Sequence, residues 1–163
     1  KYLCSEGTLR TGSLAIIPPT TERCPECNAS WTVANCHEVI SVSSVRYHPG
    51  CYRLLQISKE REYFERVFAQ AGYMNVRFIP INNHYCTSDF CPPWFDCRAD
   101  GVSLTIGNWR DRLIIIICTD PRIDFERICP DCDVAKGKDF IYAWGHDMAI
   151  TYLILMRKYL FPE

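Results

Sequence analysis

The sequence predicts an α+β fold in which a mostly antiparallel sheet is packed by two helices. Short apolar or alternating segments of strand length lie on both sides of one amphipathic segment of helix length, and a second long apolar segment follows near the end of the chain. The length of 163 residues suits one domain. We therefore expect residues 1–163 to form a single cysteine-rich globular domain.

The N-terminal third predicts strands separated by turns. Ser13–Ile17 is a short apolar segment, and Val39–Val45 alternates apolar residues with serine, which is typical of a strand with one polar face. The tripeptide His48-Pro49-Gly50 predicts a turn. Tyr52–Ile57 is then expected to be a partner strand.

The first helix is predicted over Lys59–Ala71. Ser58 can cap its first turn, and Gly72 provides a C-terminal stop. Five apolar residues fall on one face of this helix: Tyr63, Phe64, Val67, Phe68 and Ala71. Val76–Ile81 is expected to follow as a strand.

The rest of the chain predicts a long loop, a hairpin and a second helix. Asn82–Gly101 contains several cysteines and prolines and is expected to be an ordered functional loop. Val102–Ile106 and Leu113–Cys118 predict a hairpin around residues 107–112, with the isoleucine run as a central strand buried on both faces. The second helix is predicted from Asp139, as its cap, to about Leu160.

Composition excludes several classes of partner. The chain has 18 Lys and Arg against 19 Asp and Glu, for a net charge of -1. Because affinity for nucleic acids and anionic membranes depends on surplus cationic side chains, neither is expected as the main partner. The most apolar windows are far shorter than the roughly 18–20 residues that a membrane span needs, so no span is expected within this chain.

Eleven cysteines are the most unusual feature, and the first interpretation is a disulfide framework in an oxidising compartment. Cys118 ends the isoleucine run and is expected to be a free, buried thiol. Asn28-Ala29-Ser30 is an N-glycosylation acceptor, which also favours a secreted, extracellular or ER-lumenal location. The other ten cysteines are the candidates for bridges: Cys4, Cys24, Cys27, Cys36, Cys51, Cys86, Cys91, Cys97, Cys129 and Cys132.

A zinc site is the alternative interpretation of the cysteines. Cys24-Pro25-Glu26-Cys27 and Cys129-Pro130-Asp131-Cys132 are two matching motifs that each suit a tight turn carrying two thiolates. Asn28 follows the first motif and tolerates the positive φ that such a turn often needs. Together the motifs would supply a closed four-thiolate site in a cytoplasmic protein, although residues 28–128 separate them and the usual spacing is about 15–20 residues.

Recognition of another protein is the leading functional hypothesis. Aromatic side chains in the long loop, and an aromatic–arginine pair at the hairpin tip, are the kind of rigid anchors found at protein interfaces. These binding candidates are Tyr85, Phe90, Trp94, Phe95, Trp109 and Arg110. The sequence thus favours a secreted, disulfide-bonded recognition module without a cofactor.

Two other functions remain open. The first is an intracellular zinc-stabilised interaction domain, with zinc held by the two Cys-Pro-x-Cys motifs. The second is a thiol- or metal-dependent enzyme, because a Cys-x-x-Cys motif before a helix can lower the pKa of its first thiol. No catalytic residue is assigned, because no motif places a nucleophile, a base and an orienting group together.

Overall fold

The fold combines antiparallel sheets with three helices in the described residues, which confirms the α+β class predicted from the sequence. The computed structural model describes residues 12–31, 37–42, 44–81, 93–108, 113–130 and 134–162. Within this part of the chain, no helix is long and apolar enough to cross a membrane.

The N-terminal region forms a small sheet and a separate hairpin. Its five strands are β1 (Gly12–Ile17), β2 (Thr20–Arg23), β3 (Ser30–Trp31), β4 (His37–Val42) and β5 (Val45–Tyr47). The order in the sheet is β1-β4-β5, with antiparallel pairing throughout, and β2 pairs with β3. The predicted strand at Ser13–Ile17 is confirmed. The predicted strand Val39–Val45 is divided into β4 and β5, with Ser44 between them at a φ of 67°.

Helix α1 runs from Pro49 to Gln70, so it begins ten residues before the predicted start. The predicted strand at Tyr52–Ile57 is wrong, and Ser58 lies inside the helix rather than at its cap. The physical reason is a buried stripe at a spacing of four residues, formed by Tyr52, Gln56, Glu60 and Phe64. Pro49 at the first helical position needs no hydrogen-bond acceptor for its nitrogen, so His48-Pro49-Gly50 starts a helix instead of making a turn.

The C-terminal part contains a five-stranded antiparallel sheet and two further helices. Its elements are β6 (Val76–Ile81), β7 (Trp94–Ala99), β8 (Val102–Asn108), β9 (Leu113–Ile117), α2 (Phe125–Ile128), β10 (Phe140–Trp144) and α3 (His146–Leu160). The strand order is β10-β9-β8-β7-β6. The predicted strand β6 and the hairpin of β8 and β9 are confirmed, and so is the burial of the isoleucine run in an interior strand.

Two predicted boundaries in this region are corrected. The loop predicted over 82–101 ends earlier, because β7 occupies Trp94–Ala99, and residues 82–92 lie outside the described part. The helix predicted from Asp139 begins only at His146. Phe140–Trp144 instead pairs with β9 as an edge strand, and Gly145, at a φ of 86°, separates that strand from α3.

The hydrophobic side chains form two cores that helix α1 joins. The larger core lies between the five-stranded sheet and the helices, where Phe64 and Phe68 of α1 contact Phe78 and Phe95. The smaller core contains four buried residues, Ile17, Cys24, Trp31 and Val39. Because Cys51, near the first turn of α1, packs against the smaller core, this one helix connects the two.

Candidate metal centre

The connection between β2 and β3 is a tight turn that carries two cysteines, Cys24 and Cys27. The Asn28 backbone N–H donates to the Cys24 carbonyl at 2.8 Å, and the Cys24 N–H donates to the Ala29 carbonyl at 2.9 Å. Asn28 has a φ of 61°, which confirms the positive φ predicted after this motif. The turn therefore places both sulfurs on the same short segment.

The start of helix α1 supplies two more metal-binding side chains. His48 is the N-cap residue, and Cys51 lies in the first turn, three residues later. Both side chains face the β2–β3 turn, because their ligand atoms lie within 4.8 Å of the two sulfurs on that turn. A contact of 3.4 Å between Cys27 Sγ and His48 Nδ1 joins the two segments.

The four ligand atoms of Cys24, Cys27, His48 and Cys51 all lie within 4.8 Å of one another. In a tetrahedral zinc site with Zn–S bonds of about 2.3 Å, neighbouring sulfurs are about 3.8 Å apart. The longest separation in the set exceeds this distance by about 1 Å, so a small contraction would bring all four atoms within bonding distance of one ion. Three thiolates and one imidazole are a ligand set that zinc prefers.

The thiols of this cluster influence each other's protonation. Burial acts to raise the pKa of Cys24, but hydrogen bonds from the backbone and side chain of His48 and from the Cys27 and Glu26 backbone lower it to about 6. Burial, together with the neighbouring sulfurs of Cys27 and Cys24, raises the pKa of Cys51 to about 12. Thiolates packed this closely repel one another, and a bound divalent cation would remove that penalty.

Residues around the cluster hold its ligands in place. The indole of Trp31 stacks on the His48 imidazole, with ring centroids 4.4 Å apart and an interplanar angle of 29°. Arg23 Nη1 donates to the Asn28 carbonyl at 2.7 Å and so braces the cysteine turn. Because Trp31 and Cys24 are both buried in the smaller core, the site is built on packed residues.

The structure shows no disulfide between any two of the six cysteines within the described residues, which are Cys24, Cys27, Cys51, Cys97, Cys118 and Cys129. None of the bridges predicted from the sequence is therefore seen among these six. Burial raises the pKa of Cys97 to about 12, and Cys118 is buried as predicted. The remaining candidates for bridges, Cys4, Cys36, Cys86, Cys91 and Cys132, lie outside the described residues.

The structure gives the first cysteine motif different neighbours from those predicted. Cys24 and Cys27 meet His48 and Cys51, whereas Cys129 is buried in the core of the five-stranded sheet. The sequence contained a signal for this four-residue ligand set. Two residues lie between His48 and Cys51, as they do between Cys24 and Cys27. Residues 28–47 separate the two pairs, and these 20 residues fall within the usual zinc-site spacing.

The predicted recognition residues divide into two groups. Trp94 and Phe95 are only 6% and 0% exposed, so both side chains are buried, Phe95 in the larger core, which corrects their placement in an exposed loop. Trp94 packs directly on Gly107, where a Cβ would overlap the indole, and its Nε1 donates to the Asn108 carbonyl. Tyr85, Phe90, Trp109 and Arg110 lie outside the described residues.

Comparisons of the chain with protein-family models, with curated proteins and with solved structures found no match.

Proposed function

We propose that this protein is a zinc-stabilised interaction domain in which Cys24, Cys27, His48 and Cys51 bind one structural zinc ion. The observation that carries the proposal is the convergence of four ligand atoms within 4.8 Å from two segments distant in sequence. Because the protein fills all four tetrahedral positions, the ion would have no open position for a substrate or a catalytic water. This ligand set supports a structural role over catalysis.

The proposed metal also favours one compartment. Thiolates bind zinc only while they are reduced, and Cys-x-x-Cys motifs in reducing compartments are more often metal ligands than bridges. The lack of a disulfide between any two of the six described cysteines agrees with that environment. We therefore propose a location inside the cell, in preference to the secreted location that the cysteine count and Asn28 favour in the sequence.

The proposed binding partner is another protein, engaged at one end of the five-stranded sheet. Strand pairing brings Ile81, Trp94, Gly107 and Leu113 to that end, so chain segments 82–92 and 109–112 both connect there. Trp144, which pairs with Leu113, is 61% exposed at the same end. In the sequence, Tyr85, Phe90, Trp109 and Arg110 belong to these two segments. An exposed tryptophan at the end of the sheet to which the segments join supports a recognition surface.

The zinc content of purified protein tests the metal site. The chain is purified under reducing conditions without chelators, and the metal is quantified by mass spectrometry. We expect one zinc per chain in the wild type and loss of that zinc in His48→Ala and Cys51→Ser. His48→Cys should retain the metal as a four-thiolate site, with increased thiolate-to-cobalt absorption after cobalt substitution.

Two matched variants serve as controls. His146→Ala removes an exposed histidine of α3, and Cys129→Ala removes the cysteine that the sequence had paired with Cys24 and Cys27. Both should keep one zinc. If Cys129→Ala loses zinc while His48→Ala retains it, the ligand set proposed here is wrong. A wild-type protein that takes up no zinc during reductive refolding with added metal would contradict the function itself.

A further inference from the structure

The face of the five-stranded sheet opposite the helices carries a concave site. Side chains alternate along each strand, so Phe78, Cys97 and Leu104 face the core, and their sequence neighbours face the other way. A cavity of about 430 Å³ lies over this outer face, between side chains of β6, β7 and β8. Its volume falls in the range of about 300–1,000 Å³ that is typical of small-molecule sites.

Two arginines stand directly opposite each other in this cavity. Arg77 of β6 is in register with Arg98 of β7, and both side chains are exposed. Like charges at directly opposed positions destabilise a sheet, because their Cβ atoms are only about 5 Å apart. In the part of the chain that the structure describes, no carboxylate forms an ion pair with either guanidinium. An anionic ligand would relieve this repulsion.

Neighbouring groups complete a polar site with one apolar wall. Arg98 Nη1 donates to Ser103 Oγ at 3.1 Å, which orients its guanidinium within the cavity. The nearby Asp96 carboxylate accepts a hydrogen bond from Thr105 Oγ1 at 3.1 Å. Ile79, which is 63% exposed, lines the apolar side. Two guanidinium groups against one carboxylate leave the cavity with a net positive charge.

We propose that this cavity binds a small molecule that carries a phosphate monoester on an apolar arm. Two adjacent guanidinium groups match the several acceptor oxygens and the double negative charge of a phosphate. The exposed surface of Ile79 would pack against the arm. The limited cavity volume and the protein's net charge of -1 favour a small ligand over a polyanion. This inference does not depend on the metal centre.

Isothermal titration calorimetry with phenyl phosphate as the ligand tests this proposal. We expect the wild-type protein, as purified under reducing conditions, to bind it with a Kd of about 1 mM or lower. Arg77→Gln and Arg98→Gln should each weaken binding at least about tenfold, which corresponds to the loss of one charge-assisted contact. Inorganic phosphate should bind more weakly than phenyl phosphate, because it lacks an arm to contact Ile79.

The control is Arg66→Gln, which removes the same charge from an exposed position on helix α1. This variant should bind phenyl phosphate as the wild type does. Arg77→Gln removes the charge repulsion, so its melting temperature should be unchanged or higher, and a loss of binding cannot then be attributed to unfolding. An equal loss in Arg66→Gln, tighter binding of benzoate, or tighter binding of an oligonucleotide would each overturn the assignment, as would the absence of binding.

Discussion

Replacing Glu60 with glutamine tests the energetic consequence of a buried carboxyl group. Glu60 lies on helix α1 and is only 9% exposed. The Asn108 side-chain amide donates to its Oε2 at 2.7 Å. Burial raises the pKa of Glu60 from 4.5 to about 7, and the hydrogen bond from Asn108 only partly offsets this increase. The folded protein therefore binds a proton at Glu60 more tightly than the unfolded chain does.

This difference sets the direction and size of a pH effect on stability. The contribution of protonated Glu60 is complete below about pH 4.5 and is lost as the pH rises through about 7. The two pKa values differ by about 2.5, and one pH unit corresponds to about 1.4 kcal/mol, so the full effect is about 3 kcal/mol. Glu60→Gln stays neutral and keeps an oxygen acceptor for Asn108. The variant should thus exceed the wild type in free energy of unfolding by about 3 kcal/mol at about pH 8.

Chemical denaturation of both proteins at about pH 5 and about pH 8 measures this effect. Other titrating groups, including the metal ligands, are common to both proteins and largely cancel in the difference between them. Glu65→Gln on the exposed side of α1 is the matched control and should show no pH-dependent difference. A Glu60→Gln advantage of equal size at both pH values would refute the reasoning.

Two further predictions concern packing. Gly107→Ala should lower the free energy of unfolding by about 1–3 kcal/mol, because its Cβ would overlap the buried Trp94 ring. The control Gly50→Ala should be neutral or slightly stabilising, because the space around Gly50 is open. Equal effects in denaturant melts would contradict this account. Cys97 and Cys118 should resist iodoacetamide in the native protein, because burial raises both thiol pKa values and the thiolate is the reactive form. Peptide mass spectrometry with and without denaturant measures this, and rapid native labelling would show that these residues are accessible.

Strong local patterns predicted much of the sheet. The isoleucine run identified β9 because an interior strand is apolar on both faces, and the alternation in Val102–Ile106 identified β8. The errors arose where two elements share a composition. Tyr52–Ile57 has strand-like residues, but their burial follows the helical period, and Phe140–Trp144 is apolar enough to suit either a strand or the helix after it.

The candidate metal centre was only half predicted. The Cys24–Cys27 turn and the positive φ at Asn28 follow from local backbone chemistry, so the sequence revealed them. The other two ligands of the site, His48 and Cys51, come together only because helix α1 begins at Pro49. The sequence predicted a turn at 48–50 and a strand after it, which assigned these two residues to different elements. The likeness of the two Cys-Pro-x-Cys motifs favours Cys129 as a ligand, but the position of Cys129 in the larger core is a tertiary property that motif similarity does not encode.

Helix α1 has 22 residues and a length of about 33 Å. Its first turn packs against the smaller core and its later turns pack in the larger core. Under the proposed metal site, a cation bound at its first turn would add its binding free energy to the assembly around Phe64 and Phe68 on its later turns. Unfolding would then be a single cooperative event whose midpoint temperature increases with the concentration of free zinc. The supply of the metal would determine what fraction of the molecules is folded at a given temperature, although no residue of the five-stranded sheet is among the proposed ligands.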